Sequence, residues 1–294
     1  MSDADAQPWE KVLWRAQPYP DNYVPESFLD KRRTNANFRP YSFLALVLAS
    51  CAVTQHLSTI FIFVSVFIRL LDESLDARGL SWIALCAQFL GSVVWDLTMA
   101  PQSTPGSATR AKATKSSVTV FLALIGLSPV LKTLTAATSS DSIWSLSAGL
   151  FCLNALLADY TAPLTVPQAG SGLISVLSMN AAISASVVLA SRLPTNQAVF
   201  ALTVISIQLF ALFPMARRHL QTSSLLLHVV LAVVLASIAV AMMLPISPLT
   251  AVLFLSVLLF VTFGGPALLM WAQQFKNEIR GPWDVATPKV RHLT

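Results

Sequence analysis

The stretch LLLHVVLAVVLASIAVAMMLPISPLTAVLFLSVLLFVTFGGPALLMWA, residues 225–272, contains no charged side chain. It reads as two apolar runs, Leu225–Leu244 and Leu249–Ala272, divided only by Pro245-Ile246-Ser247-Pro248. A run of about 20 apolar residues in helix spans ~30 Å, the hydrocarbon thickness of a bilayer. The proline-bounded break suits a tight turn, so the pair predicts a hairpin of membrane-crossing helices.

Upstream, the same pattern recurs. Apolar segments at Phe43–Ile68, Leu80–Leu97, Val118–Thr135, Ile143–Ala158, Leu173–Leu193 and Ala198–Met215 bring the candidate spans to eight. The first is long enough to need tilt. The third is weakened by Gly126, Pro129 and Lys132, and the fourth by its short clean run. Of the 33 charged side chains, 18 lie in residues 1–42 and 273–294, and the 230 residues between hold 15. A mean hydropathy of +0.66 excludes one soluble core. The expected class is an all-α integral membrane fold of eight transmembrane helices, residues 43–272, with short cytoplasmic arms at 1–42 and 273–294.

The basic residues orient this layout, because short loops rich in Lys and Arg stay cytoplasmic. With eight spans and both termini cytoplasmic, 15 of the 19 Lys and Arg fall on that side. The far side keeps Arg69, Arg78, Lys132 and Arg192. Removing any one span moves later clusters to the wrong side. Met1–Pro40 holds no apolar signal core, so the first span is expected to serve as the insertion signal. The net charge of +5 restates the same asymmetry and gives no argument for nucleic acid. Cys51, Cys86 and Cys152 each fall inside a span and read as small packing residues.

Motifs for soluble catalysis are missing. There is no GxGxxG opening a helix after a strand, no Walker loop, no HExxH and no GxSxG. His56, His219, His228 and His292 form no metal-ligating pair, and neither a catalytic residue nor a metal or other cofactor is expected. The soluble ends are too small for a nucleotide-binding fold. Polar groups within or beside the spans are therefore the candidates for lipid contact: Asp96, Lys132, Asp159, Asn180 and Arg192. Asp96 and Asp159 each stand beside an aromatic at the cytoplasmic end of an even-numbered span. Pro129 should kink or break span three, with Lys132 then reaching a lipid headgroup or Asp141. Asn180, with Ser178, Ser184 and Ser186, reads as a packing stripe, as does Gln55-His56. Pro163–Gly172 reads as a re-entrant or surface loop.

The ends are rich in aromatics and proline. Pro8–Trp14 predicts a short interfacial helix, and Gln17–Val24 an extended segment, since each proline disfavours helix before it. Phe275–Arg280 is expected to continue span eight until Gly281-Pro282 stops it. Pro18, Tyr19, Pro20, Asp21, Asn22 and Tyr23, with Gly281, Pro282, Trp283 and Asp284, are the candidates for docking a partner.

KVLW-x-x-QPYPDNYV at 11–24, SPVLKTLT at 128–135, LSMNAAISASVVLASRLP at 177–194 and GPWD-x-A at 281–286 run in order along nearly the whole chain. In these strings the sequence resembles the phosphatidylinositol glycan class C family. Residues 98–117 show no such match, and His56 stands where that family is expected to have Gln. The resemblance implies an endoplasmic reticulum complex that transfers N-acetylglucosamine from its UDP-sugar to phosphatidylinositol on the cytoplasmic face. It also implies that a separate subunit performs the transfer, which leaves scaffolding of that catalytic subunit and other membrane subunits, and presentation of phosphatidylinositol. Arg32–Arg33, Arg110–Lys115 and Arg217–Arg218 lie on the side where an anionic lipid would be used. Two other classes stay open from the residues: a multi-pass small-molecule or lipid transporter, and an intramembrane lipid-modifying enzyme built on Asp96, Asp159 and His219.

Overall fold

The computed structural model describes residues 16–20, 22–23, 33–34, 40–99, 107–135, 137–160, 171–276 and 279–280. Helices α1 (Phe43–Leu71), α2 (Ala77–Met99), α3 (Ser107–Thr133), α4 (Ser140–Leu157) and α5 (Ser171–Ala190) are followed by α6 (Asn196–Ile207). A π-helical turn at Gln208–Leu212 joins α6 to α7 (Phe213–Ser223). The hairpin of α8 (Leu225–Met243) and α9 (Pro248–Leu259) comes next, and a second π turn, Phe260–Gly264, leads into α10 (Gly265–Gln273). Each of the eight apolar segments is thus helical. Among the described residues, four stretches are long and apolar enough to cross a membrane: Phe43–Leu71, Asn196–Gln221, Leu225–Met243 and Pro248–Gln273. Helix starts are marked by hydroxyl caps at Ser42, Ser139, Thr195, Ser224 and Ser247, each accepting an otherwise unsatisfied backbone N–H.

The chain divides into two units, Ser42–Leu268 and Met1–Tyr41 with Leu269–Thr294. In the larger unit α1 is the hub: it packs against α4, α6, α8 and α9, and 67% of its apolar window is buried, against 11% for Pro248–Gln273. Its buried serines are tolerated there because they bond their own helix. Ser58 Oγ donates to the Thr54 carbonyl at 2.7 Å, and Ser65 Oγ to Phe61 at 2.8 Å. Phe63, Phe151 and Phe210 meet at centroid distances of 5.3–5.7 Å, joining α1, α4 and the first π turn.

Both π turns precede a proline. Phe213 N–H bonds the Gln208 carbonyl, five residues back, just before Pro214; Gly265 N–H does the same to Phe260 before Pro266. A proline strips the donor from the carbonyl four residues earlier and clashes with it, and the wider turn accommodates this. For Pro266 the freed carbonyl belongs to Thr262, which accepts from Ser50 Oγ at 3.0 Å.

Several expectations change. Pro129 does not break α3, which runs through it to Thr133; Ser128 Oγ bonds the Leu124 carbonyl in the same turn. The continuation of span eight to Arg280 is overturned: helix ends at Gln273, and Ile279–Arg280 forms a two-residue strand antiparallel to Arg33–Thr34. Pairing gives both short segments backbone partners that neither has alone. Instead of running extended, the arm turns at Pro20, whose carbonyl accepts from Tyr23 N–H at 2.9 Å, and the Tyr19 and Tyr23 rings lie 4.4 Å apart. Of the cysteines only Cys51 is buried; Cys86 and Cys152 are exposed. The Pro8–Trp14 helix and most of the Pro163–Gly172 loop lie outside the described residues, as do Asp21, Gly281, Pro282, Trp283 and Asp284.

Candidate functional site

A cavity of about 210 Å³ lies where α1, the end of α4, α5, the first π turn and α7 converge. One wall is polar. His56 on α1 and Asn154 on α4 are 2.7 Å apart, and the Asn154 amide nitrogen donates to the Ser178 carbonyl and Oγ, both at 2.9 Å. With that nitrogen committed, Asn154 Oδ1 is an acceptor, so His56 Nε2 carries the proton. All three side chains are buried, and their mutual bonds offset the cost of that burial. The apolar part of the lining comes from Leu209, Phe210, Phe213 and Met215 with Val176 and Met179 of α5.

Two arginines from one turn of α7 complete the lining. Arg218 is half exposed and pairs with Asp159, just past the end of α4, at 3.0 Å. Arg217 is 4% exposed. Its Nη1 donates to the Ala52 carbonyl at 3.0 Å, and its guanidinium sits 5.9 Å from the centroid of the Tyr160 ring. Tyr160 lies beyond α4 and donates its hydroxyl to Ala155. Burial pushes this phenol up to about 12, with the nearby Arg217 charge opposing. Among the described residues no group of three His, Cys, Asp or Glu assembles to hold a metal ion.

The expected site residues separate. Asp159 joins the cavity, whereas Asp96 falls within α2 with its side chain outside the described residues. Asp96 sits in the last turn of α2, and Asp159 two positions past the end of α4. Lys132 Nζ donates to the Pro194 carbonyl at 2.6 Å rather than pairing with Asp141. Arg192 Nη2 binds the Thr135 and Thr138 carbonyls, and Arg69 Nη2 binds Met242 at 3.0 Å. These cations hold loop and helix-end carbonyls, of which that of Thr135 also accepts from Thr138 N–H at 3.0 Å. Asn180 is exposed, as is Ser184, while Ala181, Ala182, Ala185 and Ser186 form the buried face of α5. Small side chains, not the amide, make that close contact. The Gln55 amide does pack inside, donating to the His228 carbonyl at 2.7 Å. Sequence reading grouped Arg217 with the cytoplasmic basic residues. It gave no sign that this member of the pair is the buried one.

The fold and site define an all-helical protein with helices long and apolar enough to cross a membrane and, among them, a cavity lined by both polar and apolar side chains. The model of the family described as phosphatidylinositol N-acetylglucosaminyltransferase, GPI2, matches residues 9–284. The chain is 38% identical to the phosphatidylinositol N-acetylglucosaminyltransferase GPI2 subunit of Schizosaccharomyces pombe, over 97% of this chain and 88% of that one. It is 36% identical to a Homo sapiens subunit of phosphatidylinositol N-acetylglucosaminyltransferase, over 96% and 93%, and 37% identical to a Dictyostelium discoideum relative, over 95% and 79%. The chain belongs to this GPI2, or phosphatidylinositol glycan class C, family. No solved structure matches it.

Proposed function

We propose that this chain is a non-catalytic membrane subunit of the complex that transfers N-acetylglucosamine from its UDP-sugar to phosphatidylinositol, the first step of glycosylphosphatidylinositol anchor synthesis. The observation that carries the reading is the family match over almost the whole chain. The transporter reading finds no support, since these relatives carry the name of the transferase subunit. A separate subunit performs the sugar transfer. This is supported by the sequence, which carries none of the nucleotide-binding or catalytic motifs named above.

The chain works in the endoplasmic reticulum membrane as eight spans with both termini cytoplasmic, holding the catalytic subunit and other membrane subunits and presenting phosphatidylinositol to them. The charge asymmetry supports this orientation, and the helical state of every apolar segment supports the span count. Cysteines engineered near Ala6 and Lys289 test the topology: both should label from the cytoplasmic side, and labelling of either from the lumen alone would end it. The purified chain incubated with UDP-N-acetylglucosamine and phosphatidylinositol should form no product. Turnover at the rate of the intact complex would place the chemistry here instead.

A further inference from the structure

A buried guanidinium is costly, and buried charges are almost always paired with an opposite charge. Arg217 departs from this rule: it is nearly fully buried, lines the cavity and makes no ion pair among the described residues. Its Nη1 has a backbone carbonyl, but its Nε is buried with no hydrogen-bond partner among them. The carboxylate beside it, Asp159, already bonds Arg218. The Nε itself is enclosed, but Arg217 lines the cavity and a single hydrogen bond, from Nη1, is filled on its guanidinium among the described residues. An arginine with donors to spare at a cavity wall can grip a pair of anionic oxygens.

Charge matching sharpens the ligand. Arg217, Arg218 and Asp159 together carry one net positive charge. A phosphodiester carries one negative charge, whereas a phosphomonoester carries about 1.5–2 at neutral pH. Beside the cation the wall is apolar, from Val176, Met179, Leu209 and Phe213, and suits a glycerol backbone with the start of its acyl chains. The half-exposed Arg218 marks the polar mouth.

We propose that this cavity binds the phosphodiester of a glycerophospholipid with an uncharged headgroup, held by Arg217, and that the Arg218–Asp159 pair disfavours lipids bearing an added phosphomonoester. This inference rests on the lipid-presenting role proposed above and assigns it a site on this chain.

The full-length chain in detergent micelles would be titrated with dioctanoyl phosphatidylinositol, dioctanoyl phosphatidylinositol 4-phosphate and inorganic phosphate, following thermophoresis. Phosphatidylinositol should bind most tightly, and inorganic phosphate at tenfold excess should not displace it. Arg217→Gln should lose tenfold or more in affinity. Asp159→Asn adds a net positive charge, so it should narrow the gap between the two lipids by about tenfold while still binding phosphatidylinositol. Wild-type affinity in folded Arg217→Gln, displacement by tenfold excess inorganic phosphate, or an unchanged lipid ratio in Asp159→Asn would each overturn the site. Should Arg217→Gln not fold, Asp159→Asn decides. Co-purification with the transferase subunit is scored separately. A chain that joins an active complex but fails these titrations loses only the site, and one that binds lipid but joins no complex loses the role.

Discussion

His56 and Asn154, 98 positions apart in sequence, are joined by a 2.7 Å hydrogen bond that ties the middle of α1 to α4. Asn154 in turn holds Ser178 of α5, so one amide satisfies three helices. Asn154→Leu keeps bulk but strands His56 in the interior, whereas Ser178 Oγ keeps its bond to the carbonyl of residue 154 at 2.8 Å. An unsatisfied buried polar group costs about 1–3 kcal/mol. The thermal midpoint in detergent should fall by several degrees, about 2–8 °C per kcal/mol depending on size. An unshifted midpoint would show that water replaces the amide.

Arg69 and Arg192 bond loop and helix-end carbonyls. Replacing either with Gln should cost about 1.5–3 kcal/mol, the range for hydrogen bonds to charged groups. Topology should not change, since these are not the residues that orient the chain. Cysteine labelling of the two variants checks this, and inverted labelling would mean that they orient it after all.

Ser50 and Pro266 should be coupled. Ser50→Ala leaves the Thr262 carbonyl without its hydroxyl and should cost about 1 kcal/mol. In a Pro266→Ala background the helix supplies a donor of its own, so the same change should cost much less. A double-mutant cycle in chemical denaturation measures the difference. Strict additivity would separate the proline from the π turn.

Tyr160 should titrate late. Its folded value is raised to about 12, above the usual ~10 of tyrosine. Any stability it contributes is therefore present below pH ~10 and lost as pH rises through the folded value. The phenolate absorbance of wild type minus Tyr160→Phe should have its midpoint near 12. A midpoint at ~10 would mean that the ring is hydrated.

The ends are proposed to form one docking surface for the catalytic subunit. The pairing of Arg33–Thr34 with Ile279–Arg280 supports this by joining the two arms. Aromatic anchors at interfaces typically cost about 2 kcal/mol or more on truncation, roughly thirtyfold in affinity. Trp283→Ala and Tyr23→Ala should release the catalytic subunit while the chain stays inserted and abundant. Wild-type co-purification from both variants would assign the ends another role.

The sequence by itself determined the eight helices, because a long apolar run has few ways to satisfy its backbone except internally, and that requirement is local. It also determined the hairpin at Pro245–Pro248, and its ordered strings already resembled the family. Tertiary structure decided what each polar residue does. Arg217 meets Ala52 across 165 positions and Gln55 meets His228 across 173, distances over which no spacing rule operates. Arg217 and Arg218 are adjacent in sequence, yet the ~100° turn between neighbouring helix positions sends one inward and the other to the surface. For the same reason Asn180 faces out while Ser178, two positions away, faces Asn154. Which side of a nearly uniform apolar helix is inside depends on its neighbours, and only the packed bundle supplies them.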